Sequence, residues 1–148
     1  MKKKIGLILI IALITIMPCY AALGTDFKAP DTFQKSSIWD TAIYDIYSLK
    51  TDNNTQLTIS EYTDDDYNLF FKTDTSNNYY VSDLNNNMKM GRDNELNDGY
   101  TMEIVEHNGQ KYIVYITLSD HPTNDEIKDS AKYLDDFNKV NNVEAVAV

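Results

Sequence analysis

Apolar and polar positions alternate most regularly between Tyr100 and Leu118, YTMEIVEHNGQKYIVYITL. Tyr100, Met102, Ile104 and Glu106 interleave with Thr101, Glu103 and Val105, the period-two pattern of a half-buried strand. His107, Asn108 and Gly109 supply the turn, because Asn and Gly adopt positive φ at low cost. The returning segment carries Tyr112, Val114, Ile116 and Leu118 on one face and Ile113 and Tyr115 on the other. Apolar groups on both faces predict a central strand covered on both sides. The rest of the chain is expected to pack around this hairpin.

Upstream, Phe33 and Trp39 read as core anchors. Tyr44 to Leu49 and Thr55 to Tyr62 read as strands joined by a turn at Thr51 to Asn54. Thr63-Asp64-Asp65-Asp66 opens a short helix ending near Lys72, since acidic groups suit a helix N-terminus. Tyr67, Phe70 and Phe71 should face the sheet from it. A polar turn at 73–78 precedes a strand from Tyr79 to Leu84, a turn at Asn85-Asn86-Asn87 and a weaker strand from Met88 to Arg92.

Beyond the hairpin, Thr123-Asn124-Asp125-Glu126 is a capping box, in which Thr and Glu satisfy each other's backbone amides. Ile127, Ala131, Leu134 and Phe137 then form one apolar stripe of a single longer helix, stopped at Asn141-Asn142. Val143 to Val148, VEAVAV, reads as a terminal strand docking on the sheet. The expected fold is α+β: an antiparallel sheet with a short middle helix and a longer C-terminal helix packed on it. No βαβ series and no glycine-rich phosphate loop is visible.

The first 21 residues stand apart. Lys2, Lys3 and Lys4 precede an apolar run from Ile5 to Met17, then Pro18 and Cys19-Tyr20-Ala21. This is the secretory signal pattern, and the run is shorter than the ~20 residues that span a bilayer. Residues 1–21 are therefore assigned as a signal peptide cleaved after Ala21, and 22–148 as one α+β domain. Gly24 is the second choice of cleavage point, and a retained anchor is the alternative. Pro18 before Cys19 departs from the small-residue pattern of a lipidated cysteine. Cleavage after Ala21 leaves no cysteine, hence no disulfide and no thiolate metal site.

Charge narrows the partners. Losing three lysines takes the net charge from −10 to −13. Such a surface repels phosphate backbones and anionic lipid, so nucleic acid is not an expected partner.

Candidate chemistry is sparse. Asp93, Glu95, Asn97 and Asp98 place oxygen ligands as a hard cation such as calcium would need. Gly99 arrives one place late for a calcium loop, and Ile104 stands where a bidentate Glu belongs, so an ordinary acidic turn is the preferred reading. His107 and His121 sit in predicted turns without metal-ligand spacing. Ser119, Asp120 and His121 are consecutive, whereas a hydrolytic triad converges from separate segments. Asn53-Asn54-Thr55 fits the N-glycosylation pattern at Asn53, in an expected exposed turn. No catalytic residue and no cofactor is assigned. The many tyrosines and asparagines suit a binding surface, because the ring gives area and the amide adaptable hydrogen bonds.

Four segments together carry a resemblance: Phe27-Lys28-Ala29-Pro30, Asn77-Asn78-Tyr79-Tyr80-Val81, Val105 to Tyr112 (VEHNGQKY) and Phe137 to Asn141 (FNKVN). Across residues 26–148 the chain resembles small secreted proteins of unassigned function from methanogenic archaea. The element order is similar to PsbP/Mog1-like α+β domains, a likeness of order that carries no function. The archaeal resemblance implies an extracytoplasmic protein at the cell envelope and transfers no catalytic residue. The sequence is thus read as a non-catalytic secreted or envelope-associated binding module for an envelope glycan or protein partner. The alternatives are a secreted carboxylate-based hydrolase and a self-associating structural component of the envelope.

Overall fold

The computed structural model describes residues 25–36, 44–72 and 79–147. The assigned signal segment, Trp39 and the polar turn at 73–78 lie outside them. Elements run in the order β1 (Phe33–Lys35), β2 (Tyr44–Leu49), β3 (Asp52–Glu61), α1 (Asp64–Phe71), β4 (Tyr79–Asp83), β5 (Met88–Asp93), β6 (Asp98–His107), β7 (Gln110–Leu118), α2 (Asn124–Asp129), α3 (Ala131–Asn141) and β8 (Ala145–Val146).

The strands form one antiparallel sheet in the order β1-β2-β3-β7-β6-β5-β4. β7 is its middle strand, as the two-faced apolar pattern requires. Asn108 and Gly109 turn the β6–β7 hairpin with φ of 52° and 78°, the positive pair that matches strand twist. On one face, Leu57, Ile59, Val105, Val114 and Ile116 pack against Leu134 and Phe137 of α3. On the other, Tyr100, Met102, Ile104 and Ile113 pack against Phe71 of α1, which stacks on Tyr67 at 5.2 Å. The fold is α+β with helices on both faces of the sheet.

Thr63 caps α1, accepting from the Asp66 amide at 3.0 Å. The capping box at the start of α2 is complete: the Glu126 amide donates to Thr123 Oγ1 (3.2 Å) and the Thr123 amide to Glu126 Oε2 (2.7 Å). Those bonds hold the Glu126 carboxyl below its usual pKa. Asn142 stops α3 in the left-handed region, its amide and that of Val143 both donating to the Asn138 carbonyl.

Four boundaries differ from the sequence reading by more than one residue. β3 starts at Asp52, because the Asp52 carboxylate accepts the Asn54 amide (2.9 Å) and the Thr55 hydroxyl (2.8 Å) and folds the expected turn into a bulge. β6 starts at Asp98, paired with Asp93. The C-terminal helix is interrupted at Ser130, whose hydroxyl donates to the Ile127 carbonyl at 2.7 Å. The terminal strand is two residues long, and only Ala145 and Val146 reach β6, at Val105 and Ile104. Gly99 lets α2 approach the sheet, since a Cβ there would lie 2.2 Å from the Ile127 side chain.

Candidate functional site

β6 has two neighbours along one edge. β5 pairs with it from Asp98 to Glu103, and β8 takes over at Ile104 and Val105. A cleft of about 510 Å³ lies beside this changeover. One wall is the β4–β5 turn, residues 85–87, with Met88. Asp135 and Asn138 of α3 form a second wall, and residues 143–145 a third. Asn85 shapes the turn, its Oδ1 accepting the amides of Asn87 and Met88 at 2.8 Å each. Asn86 is exposed.

Glu103 stands behind this cleft. It pairs with Met88 on one side and Val114 on the other, so its side chain shares their face beneath α3. The residue has no exposed surface. Asn138 Nδ2 donates to Glu103 Oε2 at 3.1 Å, while Glu103 Oε1 and Asn138 Oδ1 have no partner among the described residues. Burial pushes the Glu103 carboxyl up to about 7; the Asn138 bond opposes this and the Asp135 charge adds to it. Asn138 therefore touches both the cleft and the buried acid. Two residues along the same face, Thr101 donates to Ser130 at 2.9 Å.

Glu103 was missed in the sequence because it occupies one place in a clean alternation. A charged residue between Thr101 and Val105, on a strand that pairs through a tight turn with one apolar on both faces, is the signal that was there to read.

Among the described residues the other carboxyl raised above its usual value is Asp98, by burial and the neighbouring Asp93. Asp98 and Glu103 are five positions apart on one strand, hence on opposite faces and ~17 Å apart along it. They do not converge.

The residues Asp93, Glu95, Asn97 and Asp98 form the β5–β6 turn. Asp93 is buried and its Oδ1 accepts the amides of Glu95 (2.8 Å) and Leu96 (3.0 Å), while Asn97 sits at φ 59°. Among the described residues no three His, Cys, Asp or Glu side chains are grouped so as to hold a metal ion. Asn53 is exposed at the β3 bulge, with the Thr55 hydroxyl of its tripeptide tied to Asp52. His107 donates to Asp26 at 2.6 Å and rests on Phe27, which lowers the Asp26 pKa. His121 is exposed in a loop of positive φ beside Asp120. The tyrosines whose side chains are described are all buried or half-buried, so asparagine rather than tyrosine supplies the exposed polar surface there.

No helix of the described residues is long and apolar enough to cross a membrane. No protein-family model, no curated protein and no solved structure matches the chain.

Proposed function

We propose that this protein is a non-catalytic binding module of the cell envelope, and that the cleft beside Asn138 takes a polyhydroxylated ligand, an envelope glycan. The observation that carries the reading is the cleft's lining. Amides of the 85–87 turn and of Asn138, with the carboxylates of Asp135 and Glu144, offer donors and acceptors around an apolar Met88. Sugar hydroxyls both donate and accept, and their C–H faces pack on apolar atoms, so mixed linings of this kind suit them. The volume lies within the usual range of small-ligand pockets.

The hydrolase alternative draws on Glu103, a carboxyl protonated near neutral pH as a general acid must be. Glycoside hydrolysis needs two carboxyl groups facing one bond, roughly 5–10 Å apart. Glu103 is closed off from solvent and its raised counterpart is on the other face, which favours binding over catalysis.

Sedimentation with insoluble polysaccharides and envelope fractions tests the reading. Saturable co-sedimentation is expected, reduced several-fold in Asn86→Ala, an exposed position whose loss leaves the turn's own hydrogen bonds in place. Failure to sediment with any of these materials contradicts it.

A further inference from the structure

A second cleft, of about 550 Å³, lies between β5 and α2. Its charge is out of keeping with the molecule. The chain has 13 basic and 23 acidic residues, yet Arg92 and Lys128 both line this cleft. Neither is in an ion pair among the described residues. Asp125, three positions before Lys128, also lines the cleft without pairing with either cation.

Arg92 is held in place. It is half-buried, and its Nη2 donates to the Pro122 carbonyl and to Asn124 Oδ1 (3.1 Å). Both bonds use one nitrogen, so Nε and Nη1 have no protein acceptor among the described residues. An anchored guanidinium with free N–H groups is preorganised for an oxyanion, since little side-chain entropy is lost on binding.

We propose that this cleft is a binding site for a ligand bearing one oxyanion group, a carboxylate or a phosphate, held by Arg92 and Lys128. Ser82 and Asn94 offer hydroxyl-binding groups beside the cations, and Met90 an apolar surface. Asp125 disfavours a second anionic group on the ligand. The overall negative charge repels an extended polyanion. A sugar acid or a sugar monophosphate meets these conditions. The site is separate from the asparagine cleft and does not depend on the reading proposed for it.

The test is calorimetric titration of the full chain with glucuronate, glucose 6-phosphate and glucose at low ionic strength. Glucuronate or glucose 6-phosphate is expected to bind and glucose not, and the tighter of the two identifies the oxyanion. Lys128→Gln is expected to weaken binding roughly tenfold, as loss of a charge-assisted contact does. Arg92→Lys keeps the charge and loses the fork, and should weaken it at least as much. Added salt should weaken it further. The proposal is overturned if neither anion binds, if glucose binds equally well, or if both variants bind as the parent does.

Discussion

Among the described residues the Glu103 carboxyl has one hydrogen bond, and it has no exposed surface. Leaving one buried oxygen unpartnered costs free energy, and ionising the group there costs more. The pKa near 7 expresses that cost. The folded protein holds this proton more tightly than an unfolded glutamate does. The stabilising contribution is therefore full below the unfolded pKa near 4.5 and is lost as pH rises through about 7. Across that window the loss is about 2–4 kcal/mol. Glu103→Gln keeps the shape and cannot ionise. It should leave stability near that of the parent at pH 5 and raise it at pH 8, seen as a shift of the urea midpoint. Equal pH dependence in parent and variant would show that Glu103 is solvated in the folded protein. The composition lists this residue among 23 acids, and only its neighbours on the strand hint that it is different.

Among elements, the C-terminal helix shows what a pattern reveals and what it hides. The capping box and the stripe of Ile127, Ala131, Leu134 and Phe137 were readable, because caps and periodicity are local; Ile127, Leu134 and Phe137 are fully buried and Ala131 packs against the core. The interruption at Ser130 was not. It depends on a serine hydroxyl reaching back to Ile127 while accepting from Thr101, a residue of β6 distant in sequence. Leu134 fills the space between α3 and the sheet. Leu134→Ala should lower stability by about 2–5 kcal/mol, because the surrounding core closes only partly over the lost side chain. An unchanged thermal melt would mean that α3 does not pack on the sheet as described. The brevity of β8 has a similar origin: the VEAVAV pattern suits a strand, but β5 already occupies β6 up to Glu103.

At the scale of the molecule, both faces of the sheet carry a helix. Met88 of β5 belongs to the core beneath α3, and both clefts border β5. The two-sided sheet was legible because strand alternation and the Asn108-Gly109 turn are written in consecutive residues. The clefts were not, because each joins segments far apart in sequence, such as residues 85–87 with Asp135 and Asn138. Residues 85–87 read as a turn and form one, and their approach to α3 is a consequence of the fold. The measurement that addresses the proposed function most directly is a nitrogen-15 NMR titration with soluble fragments of the polysaccharide that sediments the protein. The account predicts saturable shifts of the Asn86 and Asn138 side-chain amides and of the Ala145 backbone amide, with the β1–β2 edge unmoved. Shifts confined to another face, or none at saturating ligand, would contradict the assignment of this cleft as the binding site.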